Sequence, residues 1–380
     1  MEKKSNKGRR TFLSSLALGV GGIFVAGFST NSEKNDDDEM EKKKILGIKP
    51  LGFQWETKDP FLFCVHHEDD YPKGNDELGP AASLDGRQIG QDFLLKDGWR
   101  MYHGSRVPGF PSHPHRGFET ITVVRNGLVD HADSMGAAGR YGNGDVQWMT
   151  SGKGVLHSEM FPLLNKEEGN PLELFQIWLN LPKKNKMVEP HFTMMWSDSI
   201  PNYKVNDENS KGVLVEVIAG TLLENVAPSP PPDSWASEED NHVGIYNIKL
   251  DPNKDFTLPK TAKGVNRTIY FYEGNALKIE GEEIPKYHGV EVDPEFDLLL
   301  ESGDELLKIL VLEGKPIGEP VVQHGPFVMN TREEINQAFL DYQNTQFGGW
   351  PWDKSDQTHD REKERFALHG DGTEELKKEE

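Results

Sequence analysis

From about Ile45 onward the chain alternates short apolar runs with clusters of Gly, Pro, Asn and Asp. Runs at Glu119–Val124, Asp145–Thr150, Leu172–Leu181, Gly212–Ile218, Thr268–Tyr272 and Leu306–Leu312 are rich in β-branched and aromatic residues. Short runs of this kind, regularly spaced and separated by turn residues, predict an all-β sandwich or barrel. One stretch differs. Residues 332–344 place Ile335, Phe339 and Tyr342 on one helical face, and Asn330-Thr331 precede them as a cap, which predicts a short helix near the C-terminus. The run Ala227-Pro-Ser-Pro-Pro-Pro232 is poor in ladder donors and reads as a loop inserted in the second half.

The first residues follow another pattern. A basic stretch ends in Arg9-Arg10, Thr-Phe-Leu follows, and an apolar run extends from Leu16 to Phe28. A basic region followed by a short apolar one is the layout of a signal peptide, and the arginine pair resembles a twin-arginine export signal. The apolar run is shorter than the roughly 20 residues of a spanning helix. The expected organisation is therefore a signal peptide over 1–29 and a polar spacer over 30–44. A first domain over 45–185 and a second over 186–353 follow, with the boundary near Pro182–Pro190, and a charged tail covers 354–380. The destination would be the periplasm, with no membrane attachment after cleavage.

With 380 residues there is room for two ordinary cores. The net charge of -21 argues against nucleic acid and against anionic lipid, both of which need clustered Lys and Arg. A single cysteine, Cys64, rules out an internal disulfide and a cysteine-rich zinc site. A metal would have to be held by His and carboxylates.

Two stretches offer such ligands: Pro111-Ser-His113-Pro-His115-Arg-Gly-Phe-Glu119 and Gly154-Val-Leu-His157-Ser-Glu159. Side chains two apart on a strand share a face, so His113 pairs with His115 and His157 with Glu159. Glu119 has the same parity as His115. Imidazole plus carboxylate suits Fe, Zn, Ni, Mn or Cu, and such a set leaves positions open for substrate. The spacing does not choose between Glu119 and Glu159.

Longer strings surround these residues. His113-Pro-His-Arg-Gly-Phe-Glu-Thr-Ile-Thr, Gly144-Asp-Val-Gln-Trp-Met-Thr-Ser-Gly-Lys-Gly-Val-Leu-His-Ser-Glu-Met160, Gln176-Ile-Trp-Leu-Asn-Leu-Pro182, Lys186-Met-Val-Glu-Pro190 and Gly325-Pro-Phe-Val-Met-Asn-Thr331 occur in this order. Together they resemble the pirin family from about residue 45 to 350. The resemblance implies an all-β bicupin, two tandem β-barrels or jelly rolls with a short C-terminal helix. It implies one divalent metal, usually iron(II), in the first barrel and none in the second. His113, His115, His157 and Glu159 become the ligands, and Glu119 becomes a residue behind them. His288 and His324 are left without a metal role.

Some pirins resemble quercetin 2,3-dioxygenases. This implies a flavonol-type aromatic substrate, O2 as co-substrate and Glu159 as general base. The sequence does not fix the oligomeric state, and a monomer is the favoured expectation. The competing class is a non-catalytic redox or ligand sensor, or a protein-binding module. A deep apolar pocket over the metal would favour the enzyme, and an exposed apolar patch beside its mouth would favour the sensor.

Overall fold

The alternating pattern becomes layered β-structure over residues 43–204 and 212–377, those described by the computed structural model. The expected signal peptide at 1–29 and most of the spacer at 30–44 lie outside the described residues. In chain order the first strands are β1 (Ile45–Pro50), β2 (Gln54–Trp55), β3 (Phe61–Tyr71), β4 (Gly109–His115), β5 (Phe118–Asn126), β6 (Leu128–Asp133) and β7 (Ala138–Gly142). Then come β8 (Val146–Thr150), β9 (Val155–Met160), β10 (Asn170–Asn180), β11 (His191–Met195), β12 (Asn202–Lys204) and β13 (Val213–Ala219). The hairpin β14 (Thr221–Leu222) and β15 (Asn225–Val226) leads into the Pro-rich loop. The second half continues with β16 (Gly244–Leu250), β17 (Asp255–Leu258), β18 (Asn266–Glu273), β19 (Leu277–Ile279), β20 (Glu282–Ile284), β21 (His288–Val292), β22 (Leu298–Ser302) and β23 (Leu307–Gly314). It closes with β24 (Val322–His324), β25 (Phe327–Met329), α1 (Arg332–Thr345), β26 (Phe366–Leu368) and β27 (Glu374–Leu376).

These strands build two cupin sandwiches. The first pairs a sheet ordered β11-β8-β5-β10-β3-β2 with one ordered β27-β26-β7-β6-β9-β4. The second pairs β1-β21-β18-β23-β16-β13-β12 with β17-β22-β19-β20. Its interior is filled by Val215, Val217, Ile248, Ile269, Phe271, Ile309 and similar side chains. A third core joins the two halves: Ile121, Val123, Trp148, Phe175 and Ile177 of the first pack on Ile218, Ile245, Tyr270, Leu310 and Leu312 of the second. In β5 and β10, alternate residues therefore face either the first barrel's interior or the second half. The helix α1 forms as the spacing predicts, with a capping box between Thr331 and Glu334.

Three boundaries differ from the sequence reading. The segment after residue 185 stays with the first sandwich, because β11 pairs with β8 from His191↔Thr150 to Met195↔Val146. Pro182–Pro190 looks like a linker because it turns, through a 3-10 turn at Lys183–Asn185, but it turns back onto the same sheet. Conversely, β1 pairs with β21 of the second sandwich, and Ile45 and Ile48 pack on that core. The tail beyond 354 does not simply coat the surface. Its β26 extends the sheet that carries His113, His115 and His157 through Phe366↔Arg140 and Ala367↔Gly139, with Ala367 buried. Local charge concealed this, since the pairing is made by backbone and needs few apolar side chains.

Candidate metal centre and cavity

The antiparallel partners β4 and β9 set His113 directly opposite His157. An irregular register between Phe110 and His113 re-aims the strand as it enters the His-Pro-His stretch. His113, His115 and His157 offer ring nitrogens that all lie within 4.8 Å of one another. His115 and His157 are buried. Pro114 does not spoil the arrangement, because it pairs with Leu156 in a ladder that continues through it.

The hydrogen bonds favour a cation here. His113 Nδ1 lies 2.9 Å from the Pro111 carbonyl oxygen, so Nδ1 carries the proton and Nε2 is a bare lone pair. That Nε2 faces His115 Nε2 at 3.1 Å. Both ring nitrogens of His157 are buried without a hydrogen-bond partner. Burial pushes the His113 pKa down to about 4 and holds His115 and His157 well below the usual value. Neutral, converging imidazoles with unengaged lone pairs are what a divalent metal requires.

Glu159 stands on the same face of β9, with Oε2 3.9 Å from His157 Nε2. Thr122 donates to its Oε1 at 2.8 Å, and Gln176 donates its amide to Oε2 at 3.4 Å. Burial raises the Glu159 pKa against the pull of these donors.

Glu119 is the correction. Its carboxylate accepts from Thr150 at 2.6 Å and from Ser234 at 2.6 Å, and Ser234 belongs to the second half. It shares the parity of Ile121 and Val123, which face the inter-barrel core, whereas Thr122 faces the histidines. The parity argument from His115 fails because Arg116-Gly117 form a corner between β4 and β5, so the two residues are on different strands. Glu119 stands behind neither a ligand histidine nor the cavity. It ties the two sandwiches together.

A cavity of about 500 Å³ lies at the centre, with His113, His115 and Glu159 in its wall. Phe53, Phe93, Phe110, Phe161 and Trp178 make it largely aromatic, and Thr122, Gln176 and His67 add polar points. The size falls in the range of small-molecule sites. The sequence reading passed over His67, Thr122 and Gln176. The available signal was strand parity: Phe63, Val65 and His67 alternate along β3, as Leu174, Gln176 and Trp178 do along β10, and all six line the cavity.

Fold and site define a bicupin with a histidine-rich centre in its first barrel. The family model for pirin matches residues 75–179, and that for the pirin C-terminal cupin domain matches residues 245–348. Human pirin is 36% identical over 268 residues, 67% of this chain and 82% of the relative. A Pseudomonas aeruginosa relative, provisionally named a quercetin 2,3-dioxygenase, is 39% identical over 241 residues, 63% of this chain and 80% of its own length. A quercetin 2,3-dioxygenase structure from Acinetobacter baumannii superposes with a TM-score of 0.63 at 26% identity, covering 80% of this chain and 98% of that one. The chain belongs to the pirin family.

Proposed function

We propose that this pirin-family protein is an exported, metal-dependent dioxygenase acting on flavonol-type aromatics with O2. The observation that carries the reading is the aromatic cavity with His113, His115 and Glu159 in its wall. Such a pocket accepts a planar aromatic ring system and excludes water around the reacting edge.

His113, His115, His157 and Glu159 would hold the ion. Iron(II) is the proposed metal, although the donor set equally suits Zn, Ni, Mn or Cu. When bound, the metal supplies Lewis acidity that lowers the pKa of a coordinated hydroxyl and open positions for oxygen donors. Glu159 takes the proton of the flavonol hydroxyl, a task suited to a carboxylate whose pKa burial has raised. Thr122 and Gln176 hold that carboxylate in place. The aromatic faces of Phe110 and Trp178, both in the cavity wall, clamp the substrate rings.

Oxygen uptake tests this reading. Iron-loaded protein with flavonol should consume O2, and His115→Ala should not. Equal uptake by the two would sink the enzyme reading.

A metal-dependent ligand sensor that docks on a partner has one observation of its own. Leu94 and Leu95 are 78% and 58% exposed, next to Phe93 of the cavity wall. Export rests on Arg9-Arg10 and the apolar run after them. Replacing both arginines by lysine in the full chain should retain the protein in the cytoplasm on fractionation.

A further inference from the structure

His67 reaches the cavity from β3, between the rings of Phe53 and Phe110 at centroid distances of 5.9 and 6.0 Å. It is no part of the histidine cluster on β4 and β9. Behind it runs a chain of buried polar groups. Its Nδ1 lies 2.8 Å from the Tyr102 hydroxyl, and that hydroxyl donates to Asp69 Oδ2 at 2.5 Å. Arg100 Nη1 donates to Asp69 Oδ1 at 3.1 Å and reaches the Tyr102 oxygen at 3.4 Å.

Proton counting along this chain fixes the imidazole. Arg100 is always charged and only donates. Burial pushes the Asp69 pKa up to about 7 against the pull of Tyr102 and Arg100, so at pH 8 the carboxylate, 3.1 Å from Arg100, is ionised and accepts. Tyr102 has one proton and gives it to Asp69, so towards His67 the phenol oxygen is an acceptor. His67 must then carry its proton on Nδ1. Its Nε2 is left as a bare lone pair with no hydrogen-bond partner among the described residues, on a side chain that lines the cavity. Burial pushes the ring's pKa down to about 3, so it stays neutral.

We propose that His67 Nε2 accepts a hydrogen bond from a ligand hydroxyl, so that the cavity selects polyhydroxylated over unadorned planar aromatics, with Tyr102 and Asp69 as the positioning residues that hold His67 in its acceptor tautomer. This rests on the reading of the cavity as a flavonol-type site. The side of the cavity with His113, His115 and Glu159 would take the oxygens every flavonol has. His67 discriminates among flavonols by their ring hydroxyls.

Two measurements decide it. In zinc-loaded protein labelled with ¹⁵N-histidine, two-bond ¹H–¹⁵N correlations at pH 8 should show His67 protonated on Nδ1, with His67→Gln giving the assignment. A ring protonated on Nε2, or on both nitrogens, overturns the proposal whatever the cavity binds. Equilibrium binding of quercetin and of 3-hydroxyflavone, which keeps the 3-hydroxyl but lacks quercetin's other hydroxyls, supplies the second arm. The wild type should prefer quercetin by about tenfold, one good hydrogen bond's worth. His67→Leu should lose that preference while keeping its metal content and its affinity for 3-hydroxyflavone. His67→Gln, which retains an acceptor, should recover part of the preference, and Tyr102→Phe should weaken it with His67 still present. Undiminished preference in both His67→Leu and Tyr102→Phe overturns the proposal, as does a wild type that binds the two flavonols equally. If the wild type binds neither, the flavonol reading falls, and the tautomer still decides the state of His67.

Discussion

His113 Nε2 and His115 Nε2 face each other at 3.1 Å, while the Nδ1 of His113 is committed to the Pro111 carbonyl. His157 adds two buried nitrogens with no partner. Such groups destabilise a folded chain by roughly 1–3 kcal/mol each unless something engages them. Fe(II), Zn(II) or Ni(II) should therefore raise the unfolding temperature. A ligand at a hundred times its Kd adds about 2.7 kcal/mol. Thermal scans with metal and with chelator measure the effect, and His157→Ala should erase the difference. An unchanged midpoint across all three metals would argue against a metal centre.

Glu119 gives a prediction about pH. Burial pushes its pKa up to about 7, outweighing the hydroxyl donors Ser234 and Thr150. Between about 4.5 and 7 the folded chain therefore binds a proton that the unfolded chain has already released. Stability contributed by this group is present below about 4.5 and is lost as pH rises through 7, by roughly 3 kcal/mol in total. Glu119→Gln mimics the protonated form. Its stability relative to wild type should rise across that window when denaturant midpoints are compared from pH 4.5 to 7.5. Metal content should not change, because Glu119 faces the other sandwich. Loss of metal in this variant would restore it to the neighbourhood of the ligands.

What was legible in the sequence divides along a physical line. Strands, helix and histidine triad were readable because each is written in local spacing: His-x-His on one strand, His-x-Glu on another, and Ile335, Phe339 and Tyr342 on a helix. The choice between Glu119 and Glu159 was not local. It depends on the corner at Arg116-Gly117, which resets strand parity, and on Ser234, 115 positions away. The same holds for β1 and β26, whose partners lie in the opposite half of the chain. Edge pairing is made by backbone atoms, which leave little trace in side-chain pattern. His67 went unread for a third reason: its role is defined by Tyr102 and Asp69, which meet it only in the folded barrel.

The tail is expected to be structural. Arg140 is buried and bidentate on Asp130 at 2.7 and 2.8 Å. Its remaining donors go to the carbonyls of His359, Asp360 and Lys363 at 3.0, 2.8 and 2.8 Å. Ending the chain at residue 353 removes all three acceptors and the strand that covers β7. Arg140 keeps Asp130, but each buried N–H left without an acceptor costs about 1–3 kcal/mol. The truncated protein should unfold at a clearly lower denaturant midpoint and exchange the amides of β7 rapidly. Unchanged protection of Gly139 and Arg140 would show that the tail contributes nothing.

Gly117 makes the most demanding test of how the second half supports the proposed metal centre. It sits between His115 and Phe118 with φ of +85°, a conformation that L residues rarely adopt. A Cβ there would also be driven into the Val328 carbonyl oxygen, which belongs to the strand behind the site. Buried Lys186 donates to both the Gly117 and Val328 carbonyls, at 2.7 and 3.2 Å, so neither backbone segment can easily withdraw. Gly264 separates the two effects, since its φ is +81° but a Cβ would meet nothing. Gly264→Ala should show the conformational penalty alone, about 1 kcal/mol. Gly117→Ala should lose at least twice that and bind metal more weakly, because the displaced corner carries His115 with it. Equal costs at the two positions, with metal affinity retained in both, would mean that the close approach at Val328 does not brace the centre.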